Sequence, residues 1–260
     1  MTTTIQVTGA KITLDDIGEG LPVLLLHGFP ATRYLWSRVA PSLAAAGFRV
    51  VLPDLVGYGA SEAAADVRVD MASQAHWMLE LLDALGMARA AIVAHDVGSA
   101  AAQLMVARAP LRVRGLAVLD GVYAAEWAME AIASIQAWDP AEAHRLHRVL
   151  VRRLASSDSM REMLMAYQGQ SGGLRLIRAA RDLDPRQTEQ IVETLRTSKV
   201  PALVLWGERD AFLPIDSVGR PLAKLLRASL IRVPGGHFTP LDCPDHVAQA
   251  LRGFLEHLPP

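Results

Sequence analysis

The sequence predicts an α/β fold in which a mostly parallel, eight-stranded sheet is flanked by helices. Short apolar runs alternate along the chain with longer stretches of helical pattern, which is typical of βαβ units. The later runs are apolar at consecutive positions, as expected for central strands covered on both faces. The chain has 260 residues, 51% of them hydrophobic, and is long enough for one sizeable core.

Eight short runs fit strands, and five longer stretches fit helices. The predicted strands are Thr4–Val7, Lys11–Asp15, Pro22–Leu26, Arg49–Leu52, Ala90–Val93, Gly115–Leu119, Ala202–Trp206 and Ser229–Val233. The predicted helices are Tyr34–Ala46, Met71–Leu85, Ser99–Ala109, Ile215–Leu226 and His246–His257. The first two strands are close in sequence, so we expect them to form an antiparallel hairpin at one edge of the sheet.

The alternation stops between about residues 122 and 199. This stretch contains no convincing strand and is rich in residues that favour helix, with breaks at Pro140 and at 169–173. An all-helical insert after the sixth strand is typical of a lid over an active site. We therefore expect a core formed by residues 1–121 and 200–260, with a helical lid at 122–199.

Composition excludes several classes of function. The formal net charge is −1, which gives no electrostatic basis for binding nucleic acid. The single cysteine, Cys243, excludes an intrachain disulfide. The N-terminal residues resemble no leader peptide, and apolar runs such as Val23–Leu26 are too short to cross a bilayer. We expect a cytoplasmic protein, monomeric or homodimeric, without membrane or nucleic-acid partners.

The most informative motif follows the fifth predicted strand. The run His95-Asp96-Val97-Gly98 links that strand to an alanine-rich helix, which is the context of a nucleophile elbow. Here Asp96 occupies the nucleophile position, and a carboxylate is suited to attacking a saturated carbon that bears a leaving group. The alternative is a surface or helix-capping aspartate. The surrounding pattern favours the nucleophile.

A second motif, His27-Gly28-Phe29-Pro30, follows the third predicted strand. A turn here can direct the backbone N–H of Phe29 into the site. The N–H of Val97, directly after the elbow aspartate, is its expected partner in an oxyanion or leaving-group pocket.

Two further motifs supply an acid and a base. Asp210 follows the seventh predicted strand and is our candidate to orient a catalytic imidazole, ahead of Asp120 and Glu208. His237 follows two glycines that let its loop approach the sheet, so it is the candidate general base.

The other histidines suggest no further chemistry. His27 and His95 each lie one residue away from the expected reacting position, and we interpret both as structural. The remaining five lie on helical stretches without metal-ligand spacing, so we expect no metal. We expect no cofactor either.

Taken together, these motifs resemble the α/β-hydrolase family over nearly the whole chain. The set comprises His27–Pro30, the elbow, Gly207–Asp210, Gly235–His237 and the run Asp54–Ser61, which is similar to the family's Asp-x-x-Gly-x-Gly-x-Ser. The resemblance implies the α/β-hydrolase fold and the chain order nucleophile, acid, histidine.

Within this family the aspartate elbow is similar to that of epoxide hydrolases, haloalkane dehalogenases and fluoroacetate dehalogenases. Haloalkane dehalogenases usually have tryptophan after the nucleophile and asparagine or tryptophan after His-Gly, where this chain has Val97 and Phe29. Fluoroacetate dehalogenases place arginines after the aspartate, and residues 97–100 contain none. Epoxide hydrolases share the His-Gly-Phe-Pro motif found here at His27–Pro30. They commonly have His-Asp-x-Gly at the elbow, which His95–Gly98 matches.

The resemblance therefore favours an epoxide hydrolase that forms an ester on Asp96 and releases a diol after His237 activates water. A haloalkane or haloacid dehalogenase is the alternative. A lyase, a cyclase or a small-molecule binding protein of this fold is the alternative from another class.

Epoxide opening also implies an acidic lid side chain, usually tyrosine. Tyr167 is our candidate proton donor, with a tyrosine of no chemical role as the alternative. Trp36, Tyr123 and Trp127 are candidates for the pocket wall. The expected partners are a small apolar organic substrate and water.

Overall fold

A computed structural model of the protein describes residues 2–259, and within them nine strands form one sheet. The strands are β1 (Thr2–Val7), β2 (Ala10–Ile17), β3 (Leu21–Leu26), β4 (Phe48–Pro53), β5 (Glu62–Ala63), β6 (Ala90–His95), β7 (Val113–Leu119), β8 (Ala202–Gly207) and β9 (Ser229–Val233). All eight predicted strands are present, and the predicted fold class is confirmed. The additional β5 has two residues and no apolar run that could have predicted it.

The sheet order is β1-β2-β4-β3-β6-β7-β8-β9, with β5 paired to β2. β2 is antiparallel to β1, β4 and β5, whereas the pairs from β4 through β9 are parallel. The two first strands therefore form the predicted hairpin at one edge. Because β3, β6, β8 and β9 run in the same direction, the loops that follow them meet at one edge of the sheet.

Twelve α-helices lie within the described residues. They are α1 (Ala40–Ala45), α2 (Met71–Ala84), α3 (Gly98–Arg108), α4 (Met129–Gln136), α5 (Leu146–Leu154), α6 (Asp158–Leu164), α7 (Gly169–Arg181), α8 (Arg186–Glu189), α9 (Val192–Thr197), α10 (Arg220–Leu226), α11 (Thr239–Asp242) and α12 (Pro244–Glu256). Among the described residues, no helix combines the length and apolar character needed to span a membrane.

Two predicted helices are divided in the structure, and proline explains both divisions. The stretch Tyr34–Ala46 becomes a 3₁₀ turn followed by α1, which has Pro41 in its first turn. The stretch Ile215–Leu226 becomes a π-helical turn followed by α10, which has Pro221 in its first turn. Proline lacks the N–H that an interior helical position must donate, so each α-helix begins one residue before its proline.

The centre of the sheet is buried and, apart from His95 at the end of β6, carries no polar side chain. Every residue of β6 is buried, as are the last four residues of β3 and the last five of β7. Burial of one such leucine or valine side chain contributes roughly 1.5–3 kcal/mol. The rigid centre of the sheet thus supports the loop that carries Asp96.

The run Asp54–Ser61 folds into a loop around one buried carboxylate. Asp54 accepts hydrogen bonds from the backbone N–H groups of Arg33 and Ala60, both at 2.8 Å, and also pairs with the Arg33 guanidinium. Gly59 has a φ of +49°, and a Cβ there would lie 2.2 Å from the Asp54 carboxylate. The motif is therefore a structural support of the strand ends.

Residues 122–199, here called the helical segment, connect β7 to β8 and contain α4 to α9. α7 is bonded to the loop after β5, because Arg178 donates to the carbonyl oxygens of Ala64 and Val67. Asp182, at the end of α7, accepts the Val69 N–H at 2.8 Å. That this segment functions as a lid remains a prediction.

Replacement of Gly98 by alanine tests the close contact between the loops after β3 and β6. A Cβ at Gly98 would lie 2.2 Å from the carbonyl oxygen of His27. We expect Gly98→Ala to lower the free energy of unfolding by about 1–3 kcal/mol through overpacking, measured by urea denaturation. Gly253, exposed in α12 with nothing within 4 Å of a Cβ, is the control. Gly253→Ala should raise it by about 0.5–1 kcal/mol. Equal stability of Gly98→Ala and the wild type would contradict the contact.

Candidate active site

Asp96 occupies a tight turn between β6 and α3. Its φ is +50°, which is uncommon for a residue with a side chain and is tolerated best by asparagine and aspartate. The turn lies against the loop after β3, where a Cβ at Gly28 would be 2.4 Å from the Cβ of Asp96. Glycine at 28 and at 98 is therefore required by close backbone approach, which explains the elbow pattern physically.

The Asp96 carboxylate is buried and receives backbone hydrogen bonds. The N–H of Phe29 donates to Oδ2 at 2.8 Å, and the N–H of Val97 is a second hydrogen-bond donor to this carboxylate. Burial raises the pKa of Asp96, while the charge of His237 and these two N–H groups partly oppose the rise. The structure thus brings the two expected N–H donors to the candidate nucleophile.

His237 lies between two carboxylates. Its Nδ1 is 2.9 Å from Asp210 Oδ2, and its Nε2 is 3.8 Å from Asp96 Oδ1. Asp210 Oδ1 accepts the N–H groups of Phe212 and Leu213 at 2.8 and 3.0 Å, which fixes the acid. Because a carboxylate only accepts, Nδ1 donates to Asp210, and Nε2 is directed toward Asp96.

The surroundings favour the charged imidazole. Burial lowers the pKa of His237, but the hydrogen bond with Asp210 and the charges of Asp96, Asp210 and Asp120 outweigh it and raise the pKa to about 9. Protonated His237 and ionised Asp96 therefore form a buried ion pair.

Asp120 and Glu208, the two alternatives to Asp210 as the acid, have other partners. Asp120, buried at the end of β7, accepts the Gly207 N–H at 2.6 Å and the hydroxyl of Thr239. Burial raises its pKa well above the ordinary value. Glu208 pairs with Arg232 at 3.5 Å near the surface. The carboxylate that contacts the imidazole is that of Asp210.

His27 and His95 bind backbone atoms. His27 Nε2 accepts the Leu55 N–H at 2.9 Å, which joins the loops after β3 and β4. His95 Nε2 donates to the carbonyl oxygen of His237 at 2.8 Å, and the two rings lie 4.9 Å apart. Burial lowers the pKa of His95 well below its ordinary value, so it is neutral.

A cavity of about 250 Å³ opens in front of Asp96 and His237. Its wall is mostly hydrocarbon, and the helical segment supplies most of it. The lining residues of that segment are Ala128, Ala131, Ile132, Ser134, Ile135, Trp138, Leu146, Val149, Leu150, Arg153 and Leu154. Phe29, Pro30, Phe212 and Phe238 complete it.

The four other candidate residues do not line this cavity. The hydroxyl of Tyr167 donates to the carbonyl oxygen of Ala31 at 2.6 Å, and its burial raises its pKa well above the ordinary value. Trp36 is fully buried in the core. Trp127 donates its indole N–H to Thr188 at 2.9 Å, and Tyr123 borders a different depression near Arg220.

Sequence reasoning missed the aromatic residues that do line the cavity, Trp138, Phe212 and Phe238. Phe212 and Phe238 lie one or two residues after Asp210 and His237, and this proximity was the available signal. Trp138 had no such signal, because tertiary packing of the helical segment decides which aromatic residues of that segment face the site.

Within residues 2–259, no cluster of three or more His, Cys, Asp and Glu side chains is placed to hold a metal ion.

Comparison with known proteins places this geometry in context. A model of the α/β-hydrolase fold matches residues 22–150. Haloalkane dehalogenase 2 of Mycobacterium tuberculosis is 29% identical over 261 residues, covering 93% of this chain and 90% of that protein. An epoxide hydrolase of Caballeronia sordidicola is 39% identical over 98 residues, covering 36% of this chain and 29% of that protein. An α/β-hydrolase-fold crystal structure from Burkholderia ambifaria superimposes with a TM-score of 0.82 at 25% identity, covering 96% of both chains.

Replacement of Asp96 by asparagine tests the ion pair. Asn keeps the shape but removes the charge that helps raise the pKa of His237, so this pKa should fall from about 9 toward the ordinary value. The measurement is an NMR titration of the His237 ring. Asp245→Asn, on the exposed face of α12, should leave the titration unchanged. An unaltered His237 pKa in Asp96→Asn would refute the coupling.

Proposed function

We propose that this chain, which has the α/β-hydrolase fold, is a hydrolase that uses Asp96 as the nucleophile on a saturated carbon. The observation that carries the proposal is the buried carboxylate of Asp96 on its tight turn, facing His237 Nε2 and opening onto an apolar cavity. The helical segment acts as the lid of this cavity.

The first step forms an ester. Oδ2 is held by the Phe29 N–H, so Oδ1 is the oxygen free to attack. Oδ1 donates an electron pair to the carbon, and the bond from carbon to the leaving group breaks with its electrons going to the leaving group. Oδ2 becomes the ester carbonyl oxygen and stays with its N–H donor.

The second step hydrolyses the ester. Water attacks the carbonyl carbon of the Asp96 ester, and His237 Nε2 takes the water proton. The negative charge that develops on Oδ2 is stabilised by the N–H groups of Phe29 and Val97. Collapse of this intermediate releases the product alcohol, which takes the proton from His237. The second water proton, left on the Asp96 carboxyl, then passes to His237, which restores the carboxylate and the protonated imidazole of the free enzyme.

Ester formation itself prepares the base. In the free enzyme the Asp96 charge helps raise the pKa of His237 to about 9, so the imidazole is protonated at neutral pH. The ester carries no charge, and this contribution is lost when it forms. The pKa of His237 therefore falls in the intermediate, so the imidazole releases its proton to water and becomes the neutral base required for the second step.

The preferred leaving group is a halide. An epoxide oxygen needs a proton as the ring opens, but the hydroxyl of Tyr167 is bonded to Ala31 and does not line the cavity. A halide leaves as an anion and needs no proton. The whole-chain similarity to a haloalkane dehalogenase supports this choice.

Epoxide opening is the second candidate. It is supported by the run His95–Gly98 and by the partial similarity to an epoxide hydrolase. The position of Tyr167 argues against epoxide opening. Phe29 in place of asparagine or tryptophan, and Val97 in place of tryptophan, argue against a halide.

Trapping of the ester tests the nucleophile. His237→Gln should still alkylate Asp96 but hydrolyse the ester slowly, because the base for water is gone. Intact-mass spectrometry of this variant, incubated with a panel of small organohalides and epoxides, should show the added alkyl group on the peptide containing Asp96. His237→Gln combined with Asp96→Asn is the matched control and should gain no mass. Binding without any mass gain across the panel would indicate a lyase, a cyclase or a binding protein instead.

Products of the wild-type enzyme separate the two leaving groups. We expect halide release, measured by ion chromatography, to exceed diol formation from epoxides of the same carbon skeleton by at least about tenfold in kcat/KM, a difference of about 1.4 kcal/mol. A preference for the epoxides would reverse our choice of leaving group.

A further inference from the structure

One wall of the cavity carries a cation that the proposed chemistry does not use. α5 presents Leu146, Val149, Leu150, Arg153 and Leu154 to the cavity. Their spacing of three and four residues defines a single helix face. Four of the five are apolar, and Arg153, which is exposed, places a cation at the solvent side of this apolar wall.

The Arg153 side chain has no protein partner. It makes no hydrogen bond or ion pair with any residue in the described part of the chain. Arg145, at the start of the same helix, pairs with Glu142 at 2.6 Å. An arginine on the cavity face therefore offers its donors to whatever enters the cavity.

The charges around the cavity define what that ligand should be. The other charged side chains of the lining are Asp96 and His237, which neutralise each other as an ion pair. Arg153 thus leaves the cavity with a net positive charge. A guanidinium binds a carboxylate through two parallel N–H···O bonds, which fixes the orientation of the ligand as well as its position.

We propose that Arg153 is a specificity-determining residue that binds a carboxylate on the substrate. The inference rests on the proposed function, and it makes the substrate class a small carboxylic acid. An apolar carbon chain would lie between its carboxylate and the saturated carbon attacked by Asp96. The apolar wall of α4 and α5 suits that chain, and the carboxylate would lie toward the exposed side of Arg153.

Binding of unreactive ligands tests this proposal without turnover. Hexanoate and hexanamide have the same skeleton and differ in charge, and calorimetry would measure both with the wild type, Arg153→Gln and Arg152→Gln. Arg152 is the matched control, because it is exposed on the same helix and does not line the cavity. Loss of a hydrogen-bonded charge pair should weaken hexanoate binding to Arg153→Gln by about 10- to 100-fold. Hexanamide binding to Arg153→Gln, and both ligands with Arg152→Gln, should be unchanged.

Two results would overturn the proposal. One is a wild type that does not bind hexanoate more tightly than hexanamide. The other is an equal loss of both ligands in Arg153→Gln, which would mean a packing role for the side chain. Circular dichroism and a melting curve show that each variant is folded, as expected for an exposed position.

Turnover then separates this proposal from the proposed function. With straight-chain chlorocarboxylates and their primary amides, Arg153→Gln should lose about 10- to 100-fold in kcat/KM for the acids only. Selective hexanoate binding without any adduct on Asp96 would support Arg153 and refute the nucleophile. Adducts formed equally from acids and amides would support the nucleophile and refute Arg153.

Discussion

The structure around the site depends on keeping one ionised carboxylate out of water. Transfer of a charge into a protein interior is costly unless hydrogen bonds and an opposite charge compensate it. Asp96 obtains both, from the backbone N–H of Phe29 and from His237. Those contacts require the loops after β3 and β6 to approach closely, which only glycine at 28 and 98 permits.

Because His237 must face Asp96, the groups around the imidazole are also held by hydrogen bonds. His237 faces Asp96 because Asp210 holds its other nitrogen, and Asp210 is fixed by two backbone N–H groups of its own loop. His95 holds the backbone of His237. Asp120 connects the end of β8 to Thr239, just after that histidine. A row of strand ends is thus joined by buried polar contacts that leave little freedom to the reacting groups.

Sequence could predict the sheet and the loop motifs because both are local. Apolar runs identified the strands, and the elbow pattern placed Asp96, since a strand, a tight turn and a helix follow one another there. Pro41 and Pro221 were local signals for helix limits too, but the predictions Tyr34–Ala46 and Ile215–Leu226 ran through them and were wrong there. Each of these signals lies within a few residues of the feature it predicts.

The wall of the cavity could not be predicted in the same way. Tyr167 lies in the helical segment, where a proton donor was expected, but tertiary packing directs its hydroxyl to the carbonyl oxygen of Ala31. Trp138, two residues after the end of α4, lines the cavity, and residue spacing alone does not reveal that. The face of α5 that lines the cavity is set by contacts between elements that are distant in the sequence.

The two sides of the helical segment are held by different forces, and this determines how the cavity opens. α7 is fixed to the core by the Arg178 and Asp182 hydrogen bonds. α5, in contrast, has no side-chain hydrogen bond or ion pair to another element within residues 2–259, and apolar packing holds it. Under the proposed lid function, outward movement of α5 would break no side-chain hydrogen bond or ion pair, whereas movement of α7 would break the Arg178 and Asp182 hydrogen bonds. Exchange of substrate and product would then be limited by the loss of apolar contact area at α5.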